Sequence, residues 1–193
     1  MGMGSWKIEV NPSAMPQKVA TAMGEINETL LGAEYTPIAY LGSQVVNGVN
    51  HAVLAEQTVL TGHDTRNIVI IVFNEKPNDM HVTIVGIDRI VESGDGMGGV
   101  AVDVKTDIPA EAKTAWDDAF AGFVGSKVEP IALVGTQVVN GINYIFVAEL
   151  TAVTAEGEKK VCVVTVNDRL KTVQFIDVLA NRHEASLSYS FTW

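Results

Sequence analysis

Apolar residues recur at helical spacing in two separate segments of the chain. In the first segment they follow one another at steps of three and four positions: Val19, Met23, Ile26 and Leu30. In the second segment they keep a similar spacing: Ala112, Trp116, Ala119, Phe120 and Phe123. Ser13 and Asp107 precede these runs as candidate N-cap residues, and Gly32 and Gly125 follow them. The pattern predicts two amphipathic helices.

Each predicted helix is followed by four stretches that are rich in valine, isoleucine and threonine and are separated by turn residues. The stretches in the first half of the chain are 36–46, 48–60, 66–74 and 80–91. Those in the second half are 129–139, 141–154, 159–167 and 171–180. A short strand with alternating apolar residues precedes each helix. One helix lying across an antiparallel sheet buries one face of that sheet, so the sequence predicts the α+β fold class.

The two halves of the chain are copies of one unit. Residues 42–56 align with residues 135–149 at a constant offset of 93 (135 − 42), and nine of these fifteen positions are identical. The same offset aligns residues 74–76 with residues 167–169. Since each copy is long enough to form its own core, the repeat indicates two domains and not a solenoid.

The predicted domains are residues 1–94 and residues 95–193, and the second has an extra C-terminal strand. Residues 186–193 alternate strictly between polar and apolar. The apolar residues of this strand lie on one face: Leu187, Tyr189, Phe191 and Trp193. The strand has no counterpart in the first copy, so it either seals the contact between the copies or joins a neighbouring molecule to make a homodimer.

Composition narrows the range of partners. The chain has 193 residues, of which 47% are hydrophobic and 19% are charged, and its net charge at pH 7 is −10. A negative surface repels phosphate backbones and anionic lipids, so we expect neither nucleic acid nor membrane as a partner. The N-terminus has no basic segment followed by an apolar one, which is the pattern of a secretory signal. The predicted location is cytoplasmic, or secreted if a leader was removed.

The sequence shows no set of residues that is typical of a catalytic or metal site. Cys162 is the only cysteine and lies in an apolar run, so we expect a buried thiol and not a nucleophile. Four histidines are scattered at spacings that suit no metal pattern: His51, His63, His81 and His183. We therefore expect no metal, no cofactor and no enzymatic activity.

A hairpin signal occurs at the same place in both copies. An Asn-Gly pair lies between two strand-like runs, at residues 47–48 and 140–141, and this pair is the strongest two-residue hairpin signal. Two adjacent valines precede each pair, and at least one of them cannot face the core. These valines are either simple strand ends or apolar side chains displayed for binding. The motif Gln-Val-Val-Asn-Gly is unchanged in both copies, which favours display.

This motif resembles the Gln-x-Val-x-Gly first hairpin of the cystatins. The string from Thr136 to Tyr144 is most similar to the stefins. A glycine near the start of each copy resembles the N-terminal trunk of that family, and Pro77 resembles its second hairpin. The likeness covers each copy nearly end to end. It implies two tandem cystatin-like domains, each with one helix packed across a four- to five-stranded antiparallel sheet.

The resemblance also implies a function, the reversible and tight-binding inhibition of papain-like cysteine proteases. In cystatins the trunk and the two hairpins form one wedge that enters the active-site cleft of the protease. The corresponding positions in the first copy are Gly4, Gln44, Val45, Val46, Asn47, Gly48 and Pro77. In the second copy they are Gly98 or Gly99, with Gln137, Val138, Val139, Asn140, Gly141 and Leu170.

The second copy departs from the family pattern. Leu170 matches neither the Pro-Trp of secreted cystatins nor the Leu-Pro of stefins, so the second copy is predicted to be the weaker wedge. The glycine-rich segment that holds Gly98 and Gly99 is either a trunk or a flexible linker. The alternative function is a non-inhibitory interaction or structural module, which predicts that both hairpin tips are buried.

Overall fold

The chain divides into two compact units, Met1–Glu92 and Ser93–Trp193, which we call unit 1 and unit 2. A computed structural model describes residues 4–60, 65–79, 81–179 and 188–192. Four residues named in the sequence analysis lie outside these described residues: His63, His183, Leu187 and Trp193.

Unit 1 contains one antiparallel sheet and one helix. Its elements in chain order are β1 (Trp6–Asn11), α1 (Gln17–Thr29), β2 (Ala33–Val46), β3 (Gly48–Val59), β4 (Thr65–Glu75) and β5 (Thr83–Glu92). The strands lie in the order β1-β2-β3-β4-β5, so every neighbour in the sheet is also a neighbour in the chain. Short connections therefore join all the strands except β1 and β2, which are separated by α1.

Unit 2 repeats this order and adds one strand. Its elements are β6 (Val100–Lys105), α2 (Ala110–Phe120), β7 (Ser126–Val139), β8 (Gly141–Ala152), β9 (Lys159–Asn167), β10 (Thr172–Asp177) and β11 (Ser188–Thr192). The sheet order is β11-β10-β9-β8-β7-β6. The C-terminal strand therefore extends the sheet of its own unit, pairing antiparallel with β10 from Thr172↔Thr192 to Ile176↔Ser188.

The core of each unit joins the helix to strands of the sheet. The buried face of α1 consists of Val19, Ala22, Met23 and Ile26. These side chains share a core with buried strand residues that include Val53, Ala55, Val69, Ile71 and Phe73. In unit 2 the ring of Trp116 lies 4.5 Å from the ring of Phe120 and 4.8 Å from that of Phe146. Burial of such side chains contributes about 1.5–3 kcal/mol each before chain entropy is counted.

Both helices begin later than the sequence analysis predicts. The N-cap residues are Pro16 and Pro109, not Ser13 and Asp107. A proline disfavours helical backbone at the residue before it, so neither helix can start upstream of its proline. The polar residues before α1 form a turn instead, in which the backbone N–H of Ser13 donates a 3.1 Å hydrogen bond to Asn11 Oδ1.

The predicted fold class is wrong. The protein is β-rich: two antiparallel sheets contain most of the described residues, whereas α1 and α2 have only 13 and 11 residues. The chain is therefore not a pair of α+β cystatin-like domains defined by a helix on each sheet. The prediction treated the short helix of each unit as equal in importance to the sheet, although β2 and β7 alone have 14 residues each.

Candidate binding tips

A tight turn joins the two longest strands of each unit. Val46 pairs with Gly48 across the turn in unit 1, and Val139 pairs with Gly141 in unit 2. The two glycines have φ angles of +98° and +92°, in the region that favours glycine. Asn47 keeps an ordinary negative φ, so only the second residue of the Asn-Gly pair uses this region.

The four valines beside these turns are accessible to solvent. The exposed fractions of Val45 and Val46 are 59% and 41%, and those of Val138 and Val139 are 71% and 44%. Both neighbours are exposed although they point to opposite faces of the hairpin. The hairpin end therefore projects beyond the part of the sheet that the core covers.

The N-terminal segment of each unit lies beside the hairpin. In unit 1, the backbone N–H of Gly4 donates a 3.2 Å hydrogen bond to the carbonyl oxygen of Val45. Gln44 Nε2 donates a 2.5 Å hydrogen bond to the carbonyl oxygen of Gly4. In unit 2, Gln137 Nε2 donates to the carbonyl oxygen of Gly98 at 2.7 Å. The glutamine of the motif thus fixes the trunk segment against the hairpin.

Of the two candidate trunk glycines in unit 2, Gly98 is the one bonded to the hairpin. The backbone N–H of Gly99, the other candidate, donates a 3.2 Å hydrogen bond to the carbonyl oxygen of Gly96. A Cβ atom on Gly99 would also collide with the carbonyl oxygen of Gly94. Residues 94–99 form a closed turn, in which the backbone N–H of Gly94 donates to Val100 at 3.1 Å.

The second loop of each unit follows β4 or β9. In unit 1, β4 ends at Glu75, which pairs with Val49 beside the turn, and the loop that follows contains the exposed Pro77. In unit 2 the loop contains Leu170, whose exposed fraction is 53%. We call Gly4, residues 44–48 and Pro77 tip 1, and we call Gly98, residues 137–141 and Leu170 tip 2.

Two asparagines in each unit connect the parts of the tip, and the sequence analysis did not select them. Asn50 Nδ2 donates a 2.9 Å hydrogen bond to Gln44 Oε1, and Asn74 Nδ2 donates one of 2.8 Å to Asn50 Oδ1. Asn143 and Asn167 occupy the same places in unit 2. The signal that could have found them was their recurrence at the 93-residue offset of the repeat.

Charged groups lie behind tip 1. Glu75 accepts hydrogen bonds from Lys18 Nζ at 2.7 Å and from His51 Nε2 at 3.3 Å. The hydrogen bond from Lys18 lowers the pKa of the Glu75 carboxyl below its usual value of 4.5, and His51 adds to this shift. A cleft of about 280 Å³ beside this cluster is lined by residues that include His81, Phe73 and Val82.

The other candidate chemistry gives no site. Cys162 is buried in the core of unit 2, which confirms its predicted burial, and desolvation raises the pKa of its thiol to about 12. Within the described ranges, no three His, Cys, Asp or Glu side chains are arranged to hold a metal ion. The helices described by the structure are too short or too polar to cross a membrane.

No family model matches the chain, and no curated protein matches it either. The residues and geometry of the tips are therefore the evidence that bears on function.

Proposed function

We propose that the protein is a reversible, tight-binding inhibitor of papain-like cysteine proteases, and that its tips enter the active-site cleft as preformed apolar wedges. One observation carries the proposal. In each unit, a trunk glycine from before the first strand meets the Gln-Val-Val-Asn-Gly hairpin about 40 residues later, and exposed valines lie at the meeting point. The motif and its trunk resemble those of the cystatins.

The shape of the tips supports tight binding. Strand pairing and side-chain amides already fix the hairpin of each tip, so little chain entropy is lost there when a partner binds. Covering a half-exposed valine in an apolar groove contributes about 1 kcal/mol. A wedge in the cleft would block the catalytic thiol of the protease by position alone, with no bond made or broken.

The exposed valines also support the proposal over its alternative. A non-inhibitory structural module would keep the scaffold and bury the tips. All four tip valines are at least 41% exposed, which favours a binding role over a packing role.

Titration of papain with the purified protein tests this function. We expect reversible, competitive inhibition at or below micromolar concentration. Replacing all four valines by aspartate (Val45→Asp, Val46→Asp, Val138→Asp and Val139→Asp) should weaken inhibition by about 100-fold or more, since a carboxylate in an apolar groove loses its hydration.

A matched control uses the opposite end of the sheets. Leu31 and Val124 precede β2 and β7, and their exposed fractions are 95% and 86%. The double variant Leu31→Asp/Val124→Asp should inhibit as the unchanged protein does. Absence of inhibition by the unchanged protein at micromolar concentration would overturn the proposal, and so would an equal loss in the control.

A further inference from the structure

A row of side-chain amides crosses the sheet behind each tip. In unit 1 the row runs from the carbonyl oxygen of Gly4 through Gln44 and Asn50 to Asn74, with bonds of 2.5, 2.9 and 2.8 Å. Each amide donates through nitrogen to the preceding member, and Gln44 and Asn50 also accept through oxygen from the next. The row therefore links the trunk, the first hairpin and the strand that leads into the second loop.

Unit 2 has the same row at the same positions. It runs from the carbonyl oxygen of Gly98 through Gln137 and Asn143 to Asn167, with bonds of 2.7, 2.9 and 2.9 Å. Asn167 Nδ2 also donates a 3.3 Å hydrogen bond to the carbonyl oxygen of Asn140 at the hairpin turn. Asn74 and Asn167 are both buried, with exposed fractions of 8% and 4%.

The two rows differ at their last member. In unit 2, Asn167 Oδ1 accepts the backbone N–H groups of Arg169 at 3.0 Å and Leu170 at 2.8 Å. In unit 1, no donor among the described residues reaches Asn74 Oδ1, which is buried. The residue three positions after Asn74 is Pro77, which has no backbone N–H, whereas the residue three positions after Asn167 is Leu170.

The acidic residue after each asparagine is also used differently. Asp168 Oδ1 accepts the backbone N–H of Ile142 at 2.9 Å, so the second loop of unit 2 is bonded directly to the first hairpin. In unit 1 the corresponding Glu75 is bonded to Lys18 and His51 instead. Asn167 and Asp168 thus accept three hydrogen bonds that have no counterpart among the described residues of unit 1.

We infer that the amide row is a positioning device for the tips, and that it continues into the second loop in unit 2 but ends at Asn74 in unit 1, where Pro77 occupies the position of Leu170. Tip 2 is therefore the more rigid tip and the tighter-binding one. This ranking rests on the proposed inhibitory function, and it reverses the expectation from sequence that the second copy is the weaker wedge. Leu170 contributes to the rigidity of tip 2 through its backbone N–H. The family pattern concerns side chains only, so it gives no sign of this contribution.

The expected difference in affinity comes from the entropy lost when the second loop is ordered on binding. A buried acceptor without a donor is unfavourable, and the segment that should satisfy it has fewer bonds to hold it in one shape. A loop that is not fixed before binding must be ordered by binding, which reduces affinity mainly through faster dissociation. We expect a difference of about tenfold between the two tips, the size of effect that one hydrogen bond produces.

Amide hydrogen exchange measured by NMR tests the row without any protease. In the full-length protein the N–H groups of Arg169 and Leu170 should be protected, and Asn167→Ala should make their exchange at least about tenfold faster. Arg169→Ala keeps the backbone N–H and should leave the protection of Leu170 unchanged. Protection that persists in Asn167→Ala would overturn the positioning role.

Papain binding tests the ranking of the tips. Replacing both valines of one tip by aspartate should prevent that tip from binding. The other tip can then be measured alone in the full-length protein. Leu170→Pro should then weaken tip 2 about tenfold through its dissociation rate, and Pro77→Leu should strengthen tip 1 by a similar factor, because it supplies the missing N–H. Strengthening by Pro77→Leu is a gain that general loss of stability cannot produce.

The outcomes separate the two proposals. If the unchanged protein does not inhibit papain, the proposed function fails while hydrogen exchange still decides the amide row. If the unchanged protein inhibits but tip 1 binds as tightly as tip 2, or neither proline exchange alters dissociation, the ranking is overturned and the function stands. Thermal melting of each variant shows whether a loss of binding reflects unfolding.

Discussion

At the scale of single residues, the glutamine of the hairpin motif bonds within the protein and its two valines are exposed to solvent. Gln44 and Gln137 hold the trunk glycines through their side-chain amides. Val45 and Val138, the next residues, are the most exposed of the four tip valines. The repeated motif therefore meets two separate requirements: its glutamine forms internal hydrogen bonds, and its valines are exposed for binding. In the sequence, these two requirements appear together as one repeated string of residues.

The chemical reactivity of Cys162 is a residue-scale prediction. A thiol with a pKa of about 12 has only about one thiolate in ten thousand molecules at pH 8, and the thiolate is the reactive form. Folded protein should therefore fail to react with a thiol reagent such as Ellman's reagent at pH 8. The same protein in concentrated urea should react fully. Rapid, stoichiometric labelling of the folded protein would contradict the burial of this side chain.

At the scale of elements, the β2–β3 hairpin depends on a glycine that no other residue replaces without strain. Gly48 has a φ of +98°, and a Cβ atom there would collide with the backbone oxygen of Glu75 on β4. The glycine of the Asn-Gly pair is thus required both by the turn and by the close approach of the neighbouring strand. Of these two requirements, only the close approach of β4 depends on the sheet.

Two glycine substitutions with opposite expected signs test this. Gly48→Ala should lower the free energy of unfolding by at least about 2 kcal/mol, since it adds both backbone strain and a collision. Gly24→Ala is the matched control, because Gly24 lies inside α1 with open space around it. It should raise the free energy of unfolding by about 0.5–1 kcal/mol. Urea unfolding measures both changes, and equal effects would contradict the assignment.

At the scale of the whole molecule, charge is unevenly balanced, with 23 acidic and 13 basic residues. Excess negative charge opposes compaction, so favourable placement of individual carboxylates affects stability. Glu75 is placed favourably, beside Lys18 and His51. A carboxyl with a lowered pKa in the folded state stabilises the fold above its unfolded pKa, and this stabilisation is lost as pH falls through the folded pKa.

This linkage predicts the acid behaviour of the Glu75→Gln variant. At pH 7 the unchanged protein should be the more stable of the two. The difference in free energy of unfolding should shrink as the pH falls below 4.5, the usual value for this carboxyl, and vanish once Glu75 is protonated in the folded state. Glu28→Gln, which removes an exposed carboxylate from α1, is the control for the change in net charge. A difference that stays constant with pH would contradict the linkage.

The sequence by itself determined the features that depend on local spacing. The helical stripes, the strand-rich stretches, both hairpin turns and the burial of Cys162 all follow from periodicity, turn residues and hydropathy. It misplaced the helix starts because a proline next to the first helical residue outweighs a nearby candidate cap. It misjudged the fold class because periodicity shows that a helix exists without showing how small a part of the packed unit it forms.

Tertiary structure alone decided which distant residues meet. Gly4 and Gly98 lie about 40 residues before their hairpin partners, and Asn74 and Asn167 lie 24 residues after the asparagines they bond. Contacts of this kind depend on strand register, which is set by the pairing of whole strands and leaves no local pattern in the sequence. The same holds for the oxygen of Asn74, which no donor in the described part of the chain reaches, since a missing donor matters only when the sheet has buried its acceptor.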